Sequence, residues 1–101
     1  MPKVTGGASQ RVVVGNGYGI RDVDNVVRTD SGLIGNEVKV GYQSLSSRLI
    51  DEALKDAELL ERGTFSSITW DFFRSDVTDT IGPSSSLQRE LEQLGIAVAI
   101  H

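Results

Sequence analysis

The chain has 101 residues, is 39% hydrophobic and 24% charged, and carries a net charge of −4. That is the length of one domain and the composition of a globular protein, not of a disordered one. It has no cysteine and a single histidine, His101, which excludes disulfide frameworks, thiolate metal sites and any chemistry needing several histidines.

Residues 1–10, MPKVTGGASQ, are small and polar and read as a flexible N-terminal segment or a cut inside a larger protein. They lack the apolar core of a signal peptide, and no run of about 20 apolar residues follows, so no membrane partner is expected. Residues 11–101 read as a single domain. Arg11 to Val14 is predicted as a strand, followed by glycines at Gly15, Gly17 and Gly19. The runs Ile20 to Arg28 and Leu33 to Gly41 flank Thr29-Asp30-Ser31-Gly32, whose residue types favour a turn; together they predict a β-hairpin. Leu45, Leu49, Ile50, Ala53, Leu54, Ala57 and Leu60 recur at helical spacing, with Ser44 or Ser46 as cap and Gly63 as terminator.

Phe65 to Phe73 returns to strand alternation, with Ile68, Trp70 and Phe72 on one face. A loop from Asp76 to Pro83 leads to a second helix opened by Ser84 or Ser85. Ser85 and Gln88 have capping-box spacing, Leu87, Leu91 and Leu94 form a stripe, and Gly95 ends the helix. Ile96 to Ile100 is predicted as a final buried strand. The order β-β-β-α-β-α-β predicts an α/β fold, a mixed sheet with helices on its faces.

With Thr29 to Gly32 at the hairpin tip, Arg28 pairs with Leu33, Asp24 lies opposite Glu37, and Asp22 lies opposite Lys39. These four charged residues then share one face, while Val23, Val27, Val38 and Val40 supply core from the other. Opposed carboxylates about 5 Å apart repel and call for compensation. A divalent cation provides it, and with a lysine alongside makes a site for phosphodiester hydrolysis. A surface Asp22–Lys39 ion pair on a solvated strand is the structural alternative. Gly15-Asn-Gly-Tyr-Gly19 imitates a dinucleotide-binding loop, but Ile20 stands at the third glycine position and no helix follows. Ser84-Ser85-Ser86, without an internal histidine, reads as a helix cap.

The segments Ile20-Arg-Asp-Val-Asp-Asn-Val-Val-Arg28 and Gly35-Asn-Glu-Val-Lys-Val-Gly-Tyr-Gln-Ser-Leu45 resemble the PD-(D/E)xK nuclease superfamily. More narrowly, the chain resembles the restriction-endonuclease-fold toxin domains of bacterial polymorphic toxins. Arg21 and Asp24, Asn36 to Gly41, Lys55-Asp56, Trp70 to Phe73 with Ser75, and Gly95-Ile96 onward carry the likeness. The nominal proline of the motif is absent, and the family's N-terminal helix is not evident.

The resemblance implies a restriction-endonuclease-like sheet and a Mg²⁺ or Mn²⁺ ion held by Asp24, Glu37 and the backbone carbonyl of Val38. Lys39 would act on the attacking water, Gln43 would bond a phosphate or that lysine, and Arg21 would anchor a phosphate. A solvated helix face accounts for Asp56, and the core for Trp70, Phe72 and Phe73. The function so implied is a DNase toxin module of a secreted or contact-delivered effector, acting in the cytoplasm of a target bacterium and neutralised by a cognate immunity protein. An RNase toxin of the same fold, cutting tRNA for example, and a non-catalytic protein-binding module are the alternatives. Residues 1–40 hold five basic and four acidic side chains, and residues 41–101 five and ten. The acidic excess thus lies away from the proposed metal face and does not exclude a polyanionic substrate.

Overall fold

The computed structural model describes residues 8–14 and 19–101. Gly15 and Gly17 lie outside them, as do the first residues of the N-terminal segment. Five strands, β1 (Ala8–Val14), β2 (Gly19–Thr29), β3 (Gly32–Val40), β4 (Phe65–Phe73) and β5 (Ala97–Ile100), form one sheet in sequential order. β1, β2 and β3 are antiparallel, whereas β4 and β5 continue the sheet in parallel. Each parallel step needs a crossover, supplied by α1 (Ser47–Glu61) and α2 (Ser85–Gln93). β1 begins inside the segment expected to be flexible.

The two crossovers step across the sheet in the same direction, so a common hand puts both helices on one face. Leu49, Ala53 and Leu59 of α1 and Leu87 and Leu91 of α2 accordingly share one core with Val23, Val26, Ile68, Trp70 and Phe72. The expectation of helices on the faces of the sheet is corrected to helices on one face. That of a buried final strand is corrected as well: β5 is an edge strand whose Ala97 and Ile100 are exposed, although Ile96 before it is buried.

Local chemistry sets the element ends. Ser46 Oγ accepts from Leu49 N, and Ser84 Oγ from Leu87 N, so Ser84 rather than Ser85 caps the second helix. After α1 the chain turns at Gly63 with φ of 76°, a left-handed conformation that suits glycine. The hairpin has the expected register, Arg28 with Leu33 and Asn25 with Asn36.

One irregularity positions everything that follows. Ala8 pairs with Val26 and Gln10 with Val23, so Asp24 and Asn25 together face the single residue Ser9. This is a β-bulge, which shifts the alternation of β2 by one residue. Arg21 and Val23 point to the interior on one side of it and Val26 on the other, while Asp24 stays exposed.

Candidate active site

The hairpin face carrying Glu37 and Lys39 is the one that α1 covers. Both residues are buried, at 6% and 9% exposure, whereas Val40 is 57% exposed and Val38 half-buried. The expectation of an apolar valine face inside and a charged face outside is therefore reversed for β3. Alternation along a strand separates two faces but does not say which of them the helices cover. Asp22 does not meet Lys39; it pairs with Arg11 on the surface at 2.9 Å, which holds its carboxyl below the usual aspartate range.

Under α1 the charged side chains form a network. Arg21 Nη2 lies 3.3 Å from Glu37 Oε1, and Arg21 Nε donates to Asp56 Oδ1 at 2.9 Å. Asp56 Oδ2 also accepts from Trp70 Nε1 at 2.8 Å. Lys39 Nζ lies 3.1 Å from Glu37 Oε2, bonds Glu52 Oε1 at 2.9 Å, and stands 5.1 Å from the centre of the Trp70 ring. Asp56 is 1% exposed, so it is an interior acceptor and not part of a solvated helix face. Ionised side chains this deep persist only when paired, and each here has an opposite charge within reach.

Burial and pairing oppose one another at each member. Desolvation pushes the Glu37 carboxyl up to about 7, against the pull of Arg21 and Lys39 and with help from the negative charge of Asp24. Desolvation likewise raises Asp56, opposed by Arg21 and the Trp70 N–H. For Arg21, burial favours the neutral form, yet the charges of Asp56 and Glu37 carry it above its ordinary value. A carboxyl raised by burial beside a lysine is a pattern that both functional sites and structural ion-pair networks show.

Asp24 comes in from the bulge: its Oδ2 accepts from the backbone N–H of Val38 at 2.8 Å, between Glu37 and Lys39 in the chain. The structure thus brings Asp24, Glu37, Val38 and Lys39 together. Arg21 belongs to the same cluster, but its guanidinium is buried at 6% exposure and faces interior carboxylates, not solvent. Gln43 is turned elsewhere. Its Nε2 bonds Val40 O at 3.0 Å, and its backbone joins Gly82 and Ser84, splicing the end of β3 to the start of α2.

The carboxylates gathered here are oxygen donors of the kind a hard divalent ion takes. Glu37 Oε1 is buried and accepts no hydrogen bond, although Arg21 Nη2 lies 3.3 Å from it; Mg²⁺ takes one or two carboxylates and fills its remaining positions with water and phosphate oxygens. Among the described residues no group of three or more His, Cys, Asp and Glu is arranged to hold a metal ion.

Glu52 is the member that sequence reasoning missed. It sits one turn before Asp56 on α1, and its place in the helical repeat is the signal that could have found it. A second polar group lies on the opposite face of the sheet. There Asn36 Nδ2 donates to Asp71 Oδ2 at 2.8 Å, His101 Nε2 meets Asp71 Oδ1 at 2.9 Å, and the His101 ring stacks on Phe73. Phe73 is accordingly only half-buried, while Trp70 and Phe72 are core. No helix among the described residues is long and apolar enough to cross a membrane.

No family model matches the chain, and no curated protein matches it by sequence. Two solved structures share its fold. SfsA of Pyrococcus furiosus, solved in complex with Ca²⁺, aligns with TM-score 0.55 and 13% identity over 92% of this chain and 47% of its own. A protein of unknown function, AF1548, aligns with TM-score 0.53 and 19% identity over 94% of this chain and 50% of its own. The chain spans about half the length of each. It has the α/β fold of these two proteins, a five-stranded mixed sheet with two helices.

Proposed function

We propose that the chain is a metal-dependent phosphodiesterase of restriction-endonuclease-like fold, a DNase module of an antibacterial toxin. The observation that carries this reading is the convergence of Asp24, Glu37 and Lys39, with the bulge supplying Asp24 and α1 enclosing the other two. SfsA, which shares the fold, was solved in complex with Ca²⁺. Assignment to toxins, delivery by a larger effector into a target bacterium, and neutralisation by an immunity protein rest on the motif resemblance.

Asp24, Glu37 and the Val38 carbonyl would hold Mg²⁺ or Mn²⁺, which when bound supplies Lewis-acid polarisation of a phosphoryl oxygen and an activated water. Lys39 orients the attacking water and offers positive charge where the pentavalent phosphorane becomes more negative. Arg21 fixes the Glu37 carboxylate from behind, and Asp56 with Trp70 fixes Arg21. Burial keeps these charges strong by excluding water.

The binding-module alternative is favoured by one observation, that Arg21 and Lys39 already neutralise Glu37. Incubation with supercoiled plasmid and with total RNA, each with Mg²⁺, tests the proposal. Nicking that chelator abolishes and that Asp24→Ala or Lys39→Ala removes is the expected result. Cleavage of RNA alone moves the substrate to RNA. Folded protein that cuts neither with Mg²⁺ nor Mn²⁺ overturns the enzyme reading and leaves a binding module.

A further inference from the structure

Lys39 is shared between the sheet and the helix. Its Nζ lies 3.1 Å from Glu37 Oε2 and 2.9 Å from Glu52 Oε1, above the face of Trp70. Glu52 itself is held in place: Leu49, Ala53 and Asp56 on either side of it are buried, and Asp56 is bolted to Arg21 and Trp70. Among the described residues its second oxygen pairs with the exposed Arg48, at 3.8 Å. A flexible four-carbon ammonium thus stands between one carboxylate that the hydrolase reading assigns to a metal and another that nothing assigns.

From this geometry we infer that Glu52 is a positioning residue for Lys39, retaining its ammonium when a divalent cation takes Glu37. The inference rests on the proposed hydrolase reading. An ammonium and a divalent cation on one carboxylate repel each other, the more strongly in a water-poor interior, and Glu37 already carries Arg21 on its other oxygen. Rotation of the lysine stem lets Nζ leave Glu37 while keeping its bond to Glu52. Without the Glu52 charge, Glu37 is the one carboxylate among the described residues left in an ion pair with Lys39, and the lysine would compete with a metal for it. The ammonium would then be withdrawn from the position where water and phosphate meet. An ion pair that only braced α1 against the sheet would be indifferent to whether metal is bound.

Mn²⁺ binding, followed by quenching of Trp70, and cleavage kinetics are compared in the wild type, Glu52→Gln, Lys39→Gln and the double variant. Gln at position 52 keeps the shape and removes the charge. Glu52→Gln is expected to weaken Mn²⁺ binding about tenfold and lower kcat about a hundredfold, with KM changed less than about twofold. In the Lys39→Gln background the same substitution should change Mn²⁺ affinity by less than about twofold, because the two residues act as one unit. Glu52→Asp, which keeps the charge one methylene back, should recover part of both losses and also serves if Glu52→Gln folds poorly. Equal losses in both backgrounds would overturn the inference and make Glu52 a metal ligand or a brace. A wild type that cleaves, beside a Glu52→Gln that cleaves equally well, would overturn the inference alone. A wild type that neither binds Mn²⁺ nor cleaves would overturn the hydrolase reading, and this inference with it.

Discussion

Replacing Asp56 by Ala should be among the most damaging changes in the molecule, although the side chain touches no proposed substrate. It removes the acceptor of Arg21 Nε at 2.9 Å and of Trp70 Nε1 at 2.8 Å, in a position 1% exposed. An indole N–H left unsatisfied in the interior costs about 1–3 kcal/mol. Breaking a buried ion pair from one side costs about 3–5 kcal/mol. These costs overlap, because Arg21 keeps Glu37 at 3.3 Å and Glu52 at 4.0 Å, so a loss of roughly 4 kcal/mol is expected. A domain of this size is stabilised by about 5–15 kcal/mol in all, and the melting temperature should fall by roughly 20 °C. Urea unfolding monitored through Trp70, the one tryptophan, measures the change directly. Asp56→Asn, which preserves an acceptor for the indole but not the charge, should lie between. Replacing the pair together, Arg21→Met with Asp56→Leu, should recover only the ion-pair part of the loss, since the Trp70 N–H still lacks its acceptor and Glu37 is left with Lys39. A change below about 1 kcal/mol for Asp56→Ala would refute the reasoning.

Glu37 binds its proton more tightly in the folded state, up to about 7 from an ordinary 4.5, so folding takes up protons in that window and stability falls as pH rises through it. Urea melts across the window should show this slope reduced in Glu37→Gln, a variant expected to be inactive yet at least as stable as the wild type near pH 8; a wild-type slope unchanged by the substitution would contradict the assignment. Under the proposed hydrolase reading Mn²⁺ would have to displace that proton, so its affinity should rise with pH up to about 7 and then level off; calorimetric titration that finds no pH dependence would disprove it. Gly35→Ala should cost about 1–3 kcal/mol by overpacking, because a Cβ there would lie 2.9 Å from the buried Phe65 ring and 3.3 Å from Val23; an unchanged urea midpoint would disprove it.

What was legible in the sequence was whatever depends on neighbours along the chain. The leucine and alanine stripe of α1, the serine caps, the glycine after α1 and the hairpin register about Thr29 to Gly32 follow from propensity and turn chemistry acting over a few residues. Asp24, Glu37 and Lys39 were singled out from that register with the motif resemblance; the observed pairing of β2 with β3 reaches only Asn25 and Asn36, and Asp24 lies in the bulge.

Tertiary structure decided which way the group faces and what surrounds it. A period of two divides a strand into two faces, but the shared hand of the two crossovers determines that α1 and α2 cover the face bearing Glu37 and Lys39. The extra residue at Asp24-Asn25 becomes visible only against β1, and it turns Arg21 and Val23 inward while leaving Asp24 at the Val38 N–H. Asp56 and Glu52 looked like ordinary charges on an amphipathic helix because their partners lie far away in sequence. Arg21 and Trp70 reach Asp56, and Lys39 reaches Glu52, only once the layers are packed. Local chemistry thus determined the elements and the candidate residues; long-range packing converted a charged strand face into a buried, mutually compensated site, because buried charge is tolerable only where the fold itself supplies its partners.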